Sequence, residues 1–178
     1  MIRAARPDDS AAIARIYAPY VATSHVSFEE AAPDAAEIAR RMAAPPLLPW
    51  LVAERDGEVA GYAYASHHRT RPGYRWSVDT SVYLAPEAVG AGLGSALYEV
   101  LLPLVRDLGH VNAYAAIALP NDASAALHER LGFVELGTFR DVGYKLGAWR
   151  DVRWYHLRLA PLPERPTPPA PWDGSLPG

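Results

Sequence analysis

The apolar pattern of the chain predicts an α/β fold with a mixed sheet. Two observations carry that expectation. The hydrophobic period switches repeatedly between about 3.6 and about 2 residues. The segments it marks run in the order β-α-α-β-β-β-α-β-α-β-β. A third observation sets the scale: 178 residues, 50% of them hydrophobic and none of them cysteine. That is enough to bury a core without disulfides or a cysteine-ligated metal.

Ile2, Arg3, Ala4 and Ala5 read as a first strand. Pro7-Asp8-Asp9 then opens a helix, with proline pre-set for a first turn and acids at the positive helix end. Ala12, Ile13, Ile16, Tyr17 and Tyr20 form its apolar stripe. A second helix follows Pro33-Asp34, with Ala35, Ile38, Ala39 and Met42 on one face. Residues 51–54 and 59–64 flank Asp56-Gly57, the strongest short hairpin signal. Residues 76–84 form the next strand, and 91–107 a helix that Pro103 is expected to kink. Residues 112–118 return as a strand, and 122–131 as a helix stopped by Gly132. Residues 133–139 and 152–159 close the sheet.

The body of the domain is thus expected over 1–160, followed by a proline-rich tail over 161–178. Seven of the 17 prolines fall in that tail. It cannot continue a helix or a central strand. Either it is a loose extended segment, or Trp172 docks it on the body.

Charge and composition exclude several classes. A net charge of −3 and a pI near 6.1 argue against a nucleic-acid binder, which carries a basic field. No apolar run approaches the ~18 residues of a membrane span, and the opening MIRAARPDDS has no signal-peptide pattern, so a cytoplasmic domain is expected. His67-His68 has no evident carboxylate or third histidine close by, so no metal site is expected.

One candidate ligand-binding segment is Val89-Gly90-Ala91-Gly92-Leu93-Gly94-Ser95. It joins the strand-like Val82-Tyr83-Leu84 to a helix start. Glycines there let backbone N–H groups approach a phosphate, and the helix N-terminus adds its dipole. A plain turn is the alternative. A dinucleotide fingerprint fails at Ser95, where a third glycine is needed, and a P-loop fails for want of Gly-Lys-Ser/Thr.

Gly-x-Gly after a mid-chain strand resembles the acetyl-CoA pyrophosphate loop of the GNAT N-acetyltransferase superfamily, whose pattern is Gln/Arg-x-x-Gly-x-Gly/Ala. Val89 stands where that pattern has a polar residue. The run from Asn121 through Ser124, His128 and Glu129 to Gly132-Phe133 resembles the superfamily's second motif, with His128 where tyrosine is common. That histidine is similar to the phosphinothricin and methionine sulfoximine N-acetyltransferases. So are Thr23-Ser24-His25-Val26-Ser27-Phe28, Pro49-Trp50-Leu51-Val52-Ala53-Glu54 and Gly143-Tyr144-Lys145-Leu146-Gly147-Ala148-Trp149.

The resemblance implies a GNAT fold, acetyl-CoA as cosubstrate, and a small acidic amino-acid analogue as acceptor. Another amine, or a non-catalytic acyl-CoA-binding domain, stands as the alternative. Val82, Tyr83, Leu84, residues 89–95, Asn121 and Ser124 would hold the cofactor. Asp79, where the family has glutamate, would be the general base. His128 would share the proton traffic. Phe28, Arg69, Arg71 and Tyr74 would bind the acceptor, two guanidiniums suiting a carboxylate or phosphinate. Lys145 and Trp149 would also bind substrate, on a segment that in the family reaches a neighbouring subunit's site, which implies a homodimer; a hairpin between the last two strands is the alternative. With no cysteine for an acyl-enzyme, direct transfer is expected.

Overall fold

A computed structural model describes residues 1–176; Pro177, the last proline of the tail, lies outside the described residues. The strands are β1 (Ile2–Ala4), β2 (Trp50–Arg55), β3 (Glu58–His67), β4 (Ser77–Leu84), β5 (Asn112–Ala118), β6 (Val134–Lys145) and β7 (Ala148–Arg158). The helices are α1 (Ser10–Thr23), α2 (Ala35–Met42), α3 (Leu93–Asp107) and α4 (Asp122–Arg130). One seven-stranded sheet has the order β1-β2-β3-β4-β5-β7-β6. Every neighbouring pair is antiparallel except β4–β5, which the α3 crossover makes parallel.

Strand alternation divides the core into two. Leu51, Ala53, Ala63 and Val78 meet Leu97, Tyr98, Leu101 and Val105 of α3 on one face. Trp50, Val52 and Tyr62 meet Ile13, Ile16, Tyr17 and Val21 of α1 and Ile38 of α2 on the other. The central strands therefore read as apolar runs because both of their faces are covered. Arg3 staples the first strand: it donates to Asp9 at 2.7 and 2.8 Å and to Glu54 at 2.8 Å. Asp34 caps α2 by accepting from the Glu37 N–H at 2.8 Å.

The Asp56-Gly57 hairpin forms as expected; both residues have positive φ, 53° and 83°, as a two-residue primed turn needs. Three features differ from the sequence expectations. Pro7–Asp9 makes a separate 3-10 turn ahead of α1. α3 begins at Leu93, two residues late, and ends at Asp107 as expected. The last hairpin is far longer than its apolar pattern: β6 reaches Lys145 and β7 starts at Ala148, with Leu146 and Gly147 turning at φ 50° and 77°. Its distal part is glycine- and charge-rich and bulged between Phe139 and Gly143, so period-2 alternation does not reveal it.

The proline-rich segment is docked. Trp172 is buried in the α3-side core. Its N–H donates to the Leu47 carbonyl at 2.9 Å, and the Ala170 N–H to the Leu108 carbonyl at 2.8 Å. The Trp76 indole donates to Thr167 at 2.7 Å.

Candidate active site

β4 and β5 pair at only three positions, Ser77–Asn112, Val78–Ala113 and Asp79–Tyr114. Beyond Asp79 each strand keeps its outer neighbour, β3 or β7, and the two part. The Ala85 N–H donates to Ala60 on the β3 side at 2.9 Å. By alternation, Val82 and Leu84 turn their backbone groups into the gap. A cavity of about 650 Å³ fills it, bounded by 80–84 of β4, 115–118 of β5, the glycine loop and α4. Tyr20 and Val26 close it from the α1 side. The Tyr20 hydroxyl occupies the Leu84 carbonyl at 2.7 Å, which leaves the N–H as the free group there.

The glycine loop sits at the mouth. Gly90 and Gly92 hold φ of 85° and 78°, and a Cβ on either would meet nothing within 4 Å. Their absent side chains are therefore a matter of backbone conformation and open approach, not of packing. Gly92 caps α3 without a side chain, and the first intrahelical bond is Ala96 N–H to Gly92. The N–H groups of Leu93, Gly94 and Ser95 have no intrahelical partner. Gly94 lets α3 pack close to Leu127 of α4. Val89 and Ala91 are exposed. Tyr83 contributes backbone only; its ring packs among Tyr17, Tyr20 and Tyr62.

On α4, Asn121 Oδ1 accepts from the Ser124 N–H at 3.2 Å, which leaves the amide nitrogen of Asn121 on the cavity wall. His128 Nδ1 lies 2.8 Å from the Ser124 carbonyl, so Nδ1 is the protonated nitrogen. Its Nε2 then accepts the Tyr98 hydroxyl at 3.0 Å. Burial lowers the pKa of His128 and raises that of Tyr98. Tyr98, unassigned from the sequence, lines the cavity with Thr80 and His128.

Asp79 and His128 do not meet. Neighbouring strand residues point to opposite faces. Thr80 faces Tyr98 and His128, so Asp79 faces the other way. There Asp79 Oδ1 lies 2.6 Å from His68 Nδ1. Burial raises the Asp79 pKa, while His68 and Arg69 oppose that rise. The expectation that His67-His68 has no carboxylate nearby is therefore corrected: the β3–β4 register brings Asp79 to it. Among the described residues no group of three or more metal-ligating side chains gathers.

Around this pair stand Tyr74, Tyr114 and Trp154. The Arg69 guanidinium lies over the Trp154 ring, 5.6 Å from its centroid. Phe28 packs on the bare backbone of Gly143, where a Cβ would collide with its ring. The Lys145 ammonium donates to the Ser27 carbonyl of its own chain. Arg71 is exposed and offers only its carbonyl, to the Tyr74 N–H at 3.0 Å. Trp149 lies against Tyr144 on the exposed hairpin, beside a separate shallow depression with Leu119 and Pro120. The structure thus gathers Asp79, Arg69 and Tyr74, pairs Phe28 with the β6 hairpin, and leaves Arg71 and Trp149 apart.

The family model described as "Acetyltransferase (GNAT) domain" matches residues 2–154. The phosphinothricin N-acetyltransferase of Alcaligenes faecalis is 42% identical over 85% of this chain and 78% of its own length. That of Streptomyces viridochromogenes is 41% identical over 94% of this chain and 93% of its own. The solved phosphinothricin acetyltransferase of Sinorhizobium meliloti, in complex with acetyl-CoA, superposes with a TM-score of 0.90 at 35% identity, covering 99% of this chain and 97% of that one. The chain belongs to the GNAT family of acetyltransferases and is of the phosphinothricin / methionine sulfoximine N-acetyltransferase type.

Proposed function

We propose that the protein transfers the acetyl group of acetyl-CoA directly to the α-amine of a small acidic amino-acid analogue, with phosphinothricin and methionine sulfoximine or sulfone as the first candidates. The observation that carries this reading is the gap between β4 and β5. It has an anion cradle on the α3 side and a carboxylate with Arg69 on the other.

The residues fit acetyl-CoA. The cradle has open glycines at positive φ and unpartnered N–H groups at the α3 start, which suits a pyrophosphate. The gap presents strand backbone from Val82 and Leu84 and the free amide of Asn121, which suits the amides of a pantetheine arm. When bound, the group supplies an acetyl thioester activated for attack by an amine. The chain's own work is positioning and proton management. Fixing both reactants at the apex of the gap removes much of the entropic barrier. The Leu84 N–H is the donor for charge developing on the acyl oxygen. Arg69 anchors the acid group of the acceptor, and Phe28 with Tyr74 walls its side chain. On the α3 face, the Tyr98 hydroxyl, which donates to His128, lines the cavity wall.

Release of free thiol from acetyl-CoA, measured over a panel of α-amino acids that includes the three candidates, tests the reading. Turnover of an acidic analogue above the neutral amino acids is expected. A panel without turnover overturns it, and absence of a thermal shift with acetyl-CoA overturns the cofactor half separately.

The protein acts as a homodimer in this reading. β6 is one edge of the sheet, and Leu136, Phe139, Val142 and Tyr144 on it, Leu146 in its turn and Trp149 at the start of β7 expose apolar surface. A monomeric mass in light scattering at micromolar concentration would overturn this.

A further inference from the structure

We propose that His68, held by Asp79, is the group that takes the proton from the acceptor's ammonium, so that the base is a carboxylate–imidazole pair and not Asp79 alone. The proposal rests on the acetyl-transfer reading above.

Four observations carry it. First, the Asp79 carboxylate is engaged: Oδ1 is 2.6 Å from His68 Nδ1, with the two side chains 29% and 13% exposed. An ionised Asp79 accepts from Nδ1–H, which leaves the Nε2 lone pair free. Second, the pair stands where it is needed, because Asp79–Tyr114 is the last pairing before β4 and β5 part. Third, the imidazole is clamped. Tyr114 stacks on it at 4.3 Å and 18°, and Trp154 and Tyr74 meet it edge-on at 6.0 and 6.1 Å. Fourth, Nε2 makes no hydrogen bond among the described residues, and it is not among the buried polar atoms that lack one. It therefore keeps contact with solvent. His128 offers no such nitrogen: Nδ1 is held by the Ser124 carbonyl, Nε2 by Tyr98, and the ring is on the opposite face.

In the step, one N–H bond of the acceptor ammonium breaks. Its electron pair stays on nitrogen as the lone pair that attacks, and the proton goes to Nε2. The C–N bond then forms as the C–S bond breaks, and a second amine proton ends on the departing sulfur. His68 returns its proton to water, so one proton is released per acetyl group transferred. Asp79 stabilises the imidazolium in between. The other charged or titratable groups that face the ring are Arg69 of its own loop, Tyr74 of the following turn, Tyr114 of β5, and His156 of β7 behind Tyr114.

His68→Asn tests this, because the asparagine amide replaces Nδ1–H toward Asp79 and has nothing in place of Nε2. With the full chain, kcat/KM for the amine is expected to fall about 100-fold at neutral pH. The dissociation constant for acetyl-CoA should not change, and added imidazole should restore part of the rate. A variant that keeps more than half of the wild-type rate overturns the pair. A second readout needs no turnover. Nitrogen-15 NMR of the imidazole is expected to show the Nδ1–H tautomer in the wild type and its loss in Asp79→Asn; an Nε2–H tautomer in the wild type overturns the proposal. If the wild type itself acetylates nothing in the panel, the acetyl-transfer reading fails, and this base assignment fails with it.

Discussion

The two faces of the β4–β5 gap are built in different ways. On the α3 side the wall is backbone: a loop of glycines, the first turn of a 15-residue helix and two strand edges, set on a closely packed core. On the other side the wall is side chains. Asp79 comes from β4, His68 and Arg69 from the end of β3, Tyr114 from β5, Trp154 from β7, and Phe28 from a loop that leans on β6. Backbone recognition tolerates little change in conformation and much change in side chain. A side-chain constellation is the reverse. The family constraint should therefore concentrate on the first face, and substrate choice on the second.

The largest expected effect breaks the symmetry between the faces. Asp79→Asn should lower kcat/KM for the amine by at least about tenfold, toward the 100-fold typical of a lost general-base function. Acetyl-CoA affinity by calorimetry should stay within twofold, because Asp79 is outside the cavity wall. A parallel loss of cofactor affinity would mean that the two faces are not independent. Next comes the opposite variant, Gly92→Val. A Cβ there would meet nothing within 4 Å, but a β-branched residue at φ 78° costs ~1–3 kcal/mol. Acetyl-CoA affinity should fall at least about tenfold, with a melting temperature a few degrees lower, while any bound amine keeps its KM. A smaller effect is expected for Arg69→Ala. This removes the cation over Trp154 and, at an exposed position, is expected to cost ~1 kcal/mol. The KM for an acidic acceptor should rise about fivefold with kcat unchanged. An equal rise for a neutral amino acid would remove Arg69 from the specificity role.

The same division decides what the sequence could reveal. The glycine loop and the Asn121 cap are local in the chain, so the residue types needed for positive φ and for capping appear side by side at fixed spacing. The strand and helix order was legible for the same reason. His68 was not. It lies 11 residues from Asp79, and only the β3–β4 register places the two together. Read alone, His67-His68 suggests a metal pair without partners. Asp79 and His128 looked like two members of one proton-handling set, because a sequence does not display which face each occupies. A hairpin between the last two strands is legible as an alternative, but its length is not, because β6 is mostly exposed and bulges interrupt its alternation. Trp172 is visible as a lone aromatic among prolines, yet the partners that hold the segment down, the Leu47 and Leu108 carbonyls, the Trp76 indole and the α3-side core, are distant in the chain.

Val89 gives the smallest and most discriminating test. It is 59% exposed at the loop mouth, where the family pattern has a polar residue. In the proposed reading Gly90 and Gly92 meet the phosphates through backbone, so the valine leaves the cradle intact and withholds only a long-range charge. Val89→Arg restores one cation beside the anion site. In water-exposed surroundings such a pair contributes ~0.5–1 kcal/mol, so acetyl-CoA should bind about two- to fivefold more tightly. The gain should shrink between low and high salt, because the Debye length falls from ~10 Å at 0.1 M to ~3 Å at 1 M. The amine's KM and the pH profile should not move. A salt-independent gain would instead mean that the arginine makes a direct, desolvated contact. No gain at all would mean that the backbone cradle and helix dipole already saturate the phosphate. Either result fixes how much of the first face's affinity is backbone alone.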